Sequence, residues 1–362
     1  MGKLIRVLHT EWSDGWGGQE IRIINEMKAM RSNGVEVFLA CKKLSVIRKK
    51  ALENNIKVFS LPFRGNGDLK TLLTLKKIIQ LNSIDIVNTH SGKDTWIGGL
   101  AAKFSGVKFI RTRHLSQKIN PSRLNFINEL ADYIFTTGEK IRLDMIENNR
   151  IKENNILSIP TGIDESIYNP DNYKIAESRK KFNLQDAEIV IGILAVLRQF
   201  KRHDLFLKMA KELKDNNPDK KLIFLIAGDG PQKINIQNLI KKFNLSSSVR
   251  LLGHVNNAPE FLSALDILVL SSDSKEGVPQ SVMQGLFMNK QVVATNAGST
   301  IDLIHNNNFQ LVEKGNLNSL IQGVSVYIDK RNEAITRQHM VNNFSSSVMV
   351  QKILTAYKKI LN

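Results

Sequence analysis

Cysteine is nearly absent: the 362-residue chain has one, Cys41. A lone thiol excludes an internal disulfide framework and a cysteine-based zinc cluster. Long apolar runs are missing too. The longest, I-V-I-G-I-L-A-V-L at 189–197, falls well short of the roughly 18 residues that a membrane-spanning helix needs. The opening M-G-K-L-I-R-V-L-H-T-E-W turns polar too soon for a secretory signal, and Arg6 stands where N-myristoylation after Gly2 requires Ser or Thr. These absences predict a cytoplasmic chain. Aromatic residues make up only 7% and are not interleaved with a basic strip, which argues against a nucleic-acid partner. Acidic residues are short as well, giving a net charge of +17. Residues 1–168 hold 26 basic and 17 acidic side chains and the remainder 25 and 17, so the excess is spread over both halves. Clusters at Lys42, Lys43, Arg48, Lys49 and Lys50, at Lys76 and Lys77, and at Lys358 and Lys359 suit an anionic membrane surface; a solvated basic surface is the plainer reading.

What is present is an alternation. Short β-rich runs (3–9, 35–40, 57–61, 84–90, 108–113 and 133–137) are separated by helical stretches such as 68–81, whose apolar residues recur at three and four positions. Pro160, Gly162 and Pro170 interrupt the pattern. It restarts with runs at 188–196, 221–227, 249–253, 266–270 and 291–295. Alternating strand and helix predicts an α/β fold with parallel sheets covered on both faces. The expected organisation is one doubly wound domain over 1–168 and a second over 169–346. An amphipathic helix over 347–362 packs back onto the first.

Such sheets bind ligands beyond the carboxyl ends of their strands, so glycine and polar residues just after strands carry the signal. In W-G-G-Q-E, Gly17 and Gly18 follow the first strand and open a helix whose N-terminus favours an anion. The pattern is not G-x-G-x-x-G, so the dinucleotide fingerprint is absent. In L-R-Q-F-K-R-H-D, Arg198 and Lys201 stand at a strand-to-helix junction, where a forked guanidinium beside an ammonium suits a diphosphate. A-G-D-G-P makes a tight turn through Gly228, Gly230 and Pro231. In S-K-E-G-V-P-Q-S-V-M-Q-G, Gly277 and Val278 offer backbone N–H groups at a helix start, with Pro279 in its first turn. Glu276 suits sugar hydroxyls rather than phosphate, and Gln284 lies two turns along.

Four post-strand loops thus converge on phosphate plus hydroxyls. Taken in order with N-T-H-S-G-K-D, R-T-R-H-L-S and P-T-G-I-D, they resemble the retaining glycosyltransferases of family 4, across essentially the whole chain. The resemblance implies the GT-B architecture: two Rossmann-like doubly wound domains facing a cleft, the one over 1–168 on the acceptor side and the one over 169–346 binding the nucleotide sugar, with a C-terminal helix crossing back. It implies that Gly17 and Gly18 meet the donor diphosphate or leave room for the sugar, that Arg198 and Lys201 neutralise the leaving group, and that Glu276, the first acid of the family's E-x7-E motif, contacts the transferred sugar. His114 would hydrogen-bond a sugar hydroxyl or help position the acceptor. His90, Ser91, Lys93 and Asp94 would touch the acceptor or the donor sugar, or else cap a helix through Ser91 and Asp94.

The chain departs from the family at Gln284, where a second glutamate normally accepts from the ribose hydroxyls. Gln keeps an acceptor oxygen but loses the charge, so donor binding weaker by about 1 kcal/mol is expected. Asn289, Gln291 and Ala297 also replace the usual Gly, Pro and Gly. No D-x-D sequence is present, so Arg198, Lys201 and helix N-termini must meet the phosphate charge. Neither metal nor cofactor is expected. The implied partners are a nucleotide-diphosphate sugar and a saccharide or lipid-linked acceptor in envelope polysaccharide or lipopolysaccharide synthesis, at the inner face of the cytoplasmic membrane. A nucleotide-sugar epimerase and a catalytically silent sugar-nucleotide-binding subunit remain the alternatives.

Overall fold

The computed structural model describes residues 4–114, 119, 123–274, 276–329 and 337–362. Leu115 and Ser116 of the R-T-R-H-L-S stretch, and Lys275 beside Glu276, lie outside that set. The chain forms two compact units, residues 1–162 with 346–362, and residues 163–345.

Among the described residues, the first unit holds a seven-stranded sheet in the order β3-β2-β1-β4-β5-β6-β7. Its strands are β1 (Arg6–Glu11), β2 (Glu36–Cys41), β3 (Lys57–Ser60), β4 (Ile86–Thr89), β5 (Lys108–Arg113), β6 (Tyr133–Thr136) and β7 (Ile156–Ser158). All pairings are parallel, with Val7 opposite Val37 on one side and Ile86 on the other. The second unit holds a six-stranded parallel sheet in the order β10-β9-β8-β11-β12-β13. Its strands are β8 (Ile189–Leu194), β9 (Leu222–Ala227), β10 (Val249–Gly253), β11 (Ile267–Leu270), β12 (Gln291–Thr295) and β13 (Gln310–Val312). The short edge strands β7 and β13 have no clear signal in the sequence, because three residues are too few to show a period.

Every residue of β9, L-I-F-L-I-A, is buried, as a parallel strand covered on both faces requires. Apolar clusters on the two sides of each sheet form its cores. In the first unit the Ser346–Leu361 helix places Met349, Ile353, Ala356 and Tyr357 in one cluster with Val7 of β1 and with Ile23 and Met27 of the Gly18–Ser32 helix. Fully burying apolar side chains of this size stabilises by about 1.5–3 kcal/mol each, which fixes the final helix to the first unit.

The boundary expected after residue 168 falls instead between Gly162 and Ile163. Ile163 is buried in the second core and Tyr168 packs against it. The Arg337 guanidinium donates to the carbonyls of Glu165 (2.9 Å) and Tyr168 (2.7 Å) and holds this segment to the second unit. Ile163 and Ser345, the ends of that unit, form a parallel bridge.

Both sheets reverse their strand order at one place, between β1 and β4 in the first and between β8 and β11 in the second. Crevices at such switch points are where doubly wound sheets bind ligands.

Candidate functional site

In the second unit the loops after β8 and β11 meet at the switch point. A single turn, Gln199–Lys201, follows Arg198. Lys201 Nζ is ion-paired to Glu276 Oε1 at 2.5 Å, with both side chains largely buried. Ser272 Oγ donates to the same oxygen at 2.6 Å, and Ser271 Oγ donates to the Lys201 carbonyl at 2.9 Å. Glu276 Oε2 has no protein partner among the described residues. Arg202 is engaged by Asp204 and Asp273. Arg198, by contrast, is exposed and its guanidinium has no partner among the described residues. The loop after β8 therefore presents the uncommitted Arg198 guanidinium three residues before the lysine of a fixed ammonium–carboxylate pair.

Gly228 and Gly230 serve this loop indirectly. Gly228 has φ +145°, and a Cβ there would lie 1.9 Å from the Ala195 carbonyl oxygen. Backbone hydrogen bonds from Leu197 to Asp229 (3.0 Å) and from Gln232 to Leu197 (3.0 Å) tie the β9 loop to the segment carrying Arg198. Pro231 is exposed in the turn that follows.

The E-G-V-P element differs from expectation. The helix runs Gln280–Phe287, with Pro279 at its N-cap position rather than in its first turn. Gly277 and Val278 form a turn ahead of it, and the Val278 side chain belongs to the core. The reason is apolar: Val278, Val282, Met283 and Leu286 must all face the second core. Gln284 is half-buried on the other side of the helix, without a side-chain partner among the described residues. Asn289 adopts φ +51° just past the helix end, supplying the left-handed residue that glycine usually provides there.

In the first unit, Gly17 is the N-cap of the Gly18–Ser32 helix, in an extended conformation. Its N–H donates to Glu20 Oε2 at 2.8 Å, so the expected anion position at this N–H is already held by a carboxylate of the chain. The loop after β4 gives Ser91 and Asp94 the capping task. Ser91 is the N-cap and Asp94 the third residue of the Gly92–Phe104 helix. Asp94 is fully buried and accepts from the N–H groups of His90 and Ser91 (both 2.9 Å), from Thr10 Oγ1 (2.7 Å) and from Ser91 Oγ. Lys93 points outward, with Nζ 4.1 Å from the Trp12 ring centroid.

His90 is buried with both ring nitrogens engaged: Nε2 with His9 Nδ1 at 2.9 Å, and Nδ1 with His114 Nε2 at 3.0 Å. Of the four residues expected on the acceptor side, Lys93 is the exposed one. His114 is half-buried at the end of β5. Burial pushes His9 down to about 3 and holds His90 and His114 well below the usual imidazole range, reinforced at the latter two by the charges of Arg22 and Arg111.

Sequence reasoning missed His9, Glu11 and Arg111. Glu11 ends β1, fully buried, and burial followed by the charge of Asp94 pushes its carboxyl up to about 8. It accepts from the Ser13 N–H at 2.8 Å and from Gln19, bracing the loop between. Arg111 donates to the Ser91 carbonyl at 2.6 Å and to Thr95. The run of polar residues H-T-E at the end of an apolar strand was the available signal for two of the three.

Residues 16–167 match the family described as Glycosyltransferase Family 4, and residues 174–345 match Glycosyl transferases group 1. A curated relative from Escherichia coli, the UDP-Gal:alpha-D-GlcNAc-diphosphoundecaprenol alpha-1,3-galactosyltransferase, is 24% identical over 98% of this chain and 96% of its own length. A glycosyltransferase from Rickettsia africae ESF-5 superposes with a TM-score of 0.90 at 22% identity, covering all of both chains. Anabaena HepE in complex with UDP-glucose does so with a TM-score of 0.82 at 17% identity, over 98% of this chain and 100% of the other. At these identities the structural likeness establishes the fold.

Proposed function

The chain belongs to the group 1, family 4 glycosyltransferases of GT-B fold, and from that premise we propose that it transfers a sugar, with retention, from a uridine diphosphate sugar to a lipid-linked saccharide. The observation that carries this reading is the Lys201–Glu276 pair beside an uncommitted Arg198 at the β8/β11 switch point. Arg198 and Lys201 would neutralise the diphosphate as the bond from its oxygen to the anomeric carbon breaks, where preorganised charge is worth most. Glu276 Oε2 would accept hydrogen bonds from the sugar, Gln284 would meet the ribose, and His114 would hold a sugar hydroxyl. The acceptor hydroxyl would attack from the face that the diphosphate leaves. Its proton would pass to the departing phosphate oxygen, so no separate protein base is needed. The named substrates of the E. coli relative support both the uridine nucleotide and the lipid diphosphate acceptor.

The test is one transfer assay with UDP-sugars and a lipid-diphosphate-linked acceptor, with and without EDTA, on the wild type and on Gln284→Glu. Retained anomeric configuration, indifference to EDTA, and donor affinity improved several-fold in Gln284→Glu (about 1 kcal/mol) are expected. An inverted linkage or loss of activity in EDTA overturns the mechanism.

The same reading places the first unit at an anionic lipid surface. Among the described residues no helix is long and apolar enough to cross a membrane. Leu44 is 89% and Leu69 70% exposed, in the segments after the adjacent strands β2 and β3. Lys42, Lys43, Lys49, Arg64 and Lys70 surround them in sequence. Protruding leucines among cations suit a headgroup layer. Co-sedimentation with vesicles should rise with anionic lipid content and fall with salt; binding indifferent to lipid charge would count against this placement.

A further inference from the structure

Three imidazoles run in file from the interior of the first unit toward its surface. His9 lies on β1, His90 just past β4 and His114 just past β5. Rings of His9 and His90 lie nearly coplanar and edge to edge, 5.2 Å between centroids and 8° between planes, and those of His90 and His114 stand 5.3 Å apart. The nitrogens meet head to tail: His9 Nδ1 to His90 Nε2, then His90 Nδ1 to His114 Nε2. At the inner end His9 Nε2 is buried and has no partner. At the outer end His114 Nδ1 has no partner among the described residues, and its ring is half-buried.

A neutral imidazole carries one hydrogen on its two nitrogens. Each of the two contacts needs one hydrogen between its nitrogens, so the three tautomers cannot be chosen independently. Two arrangements satisfy both contacts. In one, every ring is protonated at Nδ1: His9 donates to His90, His90 donates to His114, and His114 presents an outward N–H. In the other, every ring is protonated at Nε2. The direction reverses, and His114 presents a bare lone pair. The second arrangement leaves a buried, unpaired N–H on His9, whereas the first leaves only an unshared lone pair there. Orphaned buried N–H groups are the rarer and costlier defect. The nearby charges of Arg22 and Arg111 act against protonating His90 or His114 and so keep them neutral.

We propose that His9 and His90 are positioning residues that lock His114 as the Nδ1–H tautomer, so that it donates a hydrogen bond to a substrate oxygen. The clause about the substrate rests on the reading above that His114 faces the transferred sugar; the lock itself does not. His9 touches no ligand in this scheme. It acts by deciding the polarity of a group two rings away.

The experiment is long-range proton–nitrogen NMR of protein labelled with nitrogen-15 at its seven histidines, which distinguishes protonated from bare ring nitrogens. Wild-type protein at neutral pH should show His9, His90 and His114 all protonated at Nδ1 and bare at Nε2. A His114 protonated at Nε2, or a mixture of the two forms, overturns the lock. His9→Phe keeps an aromatic ring at the inner position but removes the first donor. It should release His114 to the other tautomer and lower kcat/KM by several-fold to about tenfold, the effect of one net hydrogen bond. His9→Asn, whose amide restores a donor at the δ position, should recover both the tautomer and the activity. A His114 tautomer unchanged in His9→Phe overturns the relay. His114→Ala separates the two readings. If the wild-type tautomers are as stated and His114→Ala turns over normally, the sugar contact fails and donation to substrate with it. If His114→Ala is crippled but wild-type His114 carries its hydrogen on Nε2, the lock fails alone.

Discussion

Lys201→Ala should lower kcat by on the order of 10²–10³-fold, the usual cost of removing one preorganised charge or hydrogen-bond donor from a developing anion. It should also destabilise the protein by about 3–5 kcal/mol, because a buried carboxylate then loses its cation. Glu276 has an almost fully buried side chain and would keep only Ser272 Oγ on its paired oxygen. The two effects need separating, and a second variant does so. Lys201→Met combined with Glu276→Gln removes both charges and leaves no unpaired ion, so most of the lost stability should return. Turnover should not, if Lys201 meets the leaving diphosphate and Glu276 the sugar as proposed. Chemical denaturation and steady-state kinetics on the same two preparations give the answer. Turnover restored in the double variant would mean that Lys201 serves only to neutralise Glu276, and that the leaving group is stabilised elsewhere.

Gly298→Ala should be nearly as damaging, for a steric reason. Gly298 has φ +61°, and a Cβ there would lie 1.9 Å from the carbonyl oxygen of Glu276 and 2.6 Å from its carbonyl carbon. Those atoms are backbone and cannot swing away as a side chain would. Strain in the left-handed conformation and displacement of the Glu276 segment should together cost about 3 kcal/mol or more. Because Glu276 moves with its carbonyl, activity should fall further than stability alone explains. Gly315→Ala is the control: it too has a left-handed φ, +73°, but nothing lies within 4 Å of its added Cβ. That variant should lose only about 1–2 kcal/mol, the conformational term, and keep its turnover. Similar melting temperatures for the two variants would show that the Gly298–Glu276 approach is not tight. Ala297 is tolerated beside it because its own side chain is buried in place and the close contact falls on Gly298 alone.

The legibility of the site follows from where each residue's partners lie. Arg198, Lys201 and Glu276 stand out in the sequence because they follow apolar strands, a position that in parallel sheets points to the ligand edge, and the structure places them after β8 and β11. Ser91 and Asp94 were ambiguous for a local reason. The pattern S-G-K-D reads equally as a polar site and as a capping box, and the structure shows them capping the Gly92–Phe104 helix. The G-G pattern leaves the Gly17 N–H free, whereas Glu20, three residues on, folds back onto it. Pro279 caps its helix rather than entering the first turn, because the segment before it is set by burying Val278 and not by the proline.

By itself the sequence determined the alternation of strand and helix, the parallel sheets it entails, the loops that carry charge, and the family. All of these depend on periodicity and on residues close together in the chain. Only the tertiary structure decided that Lys201 meets Glu276 and that His9, His90 and His114 stand in file. Each joins residues far apart in the chain, brought together by the strand orders β1-β4-β5 and β8-β11. Strand order is chosen by how whole apolar faces pack, a sum over many side chains that no local pattern records.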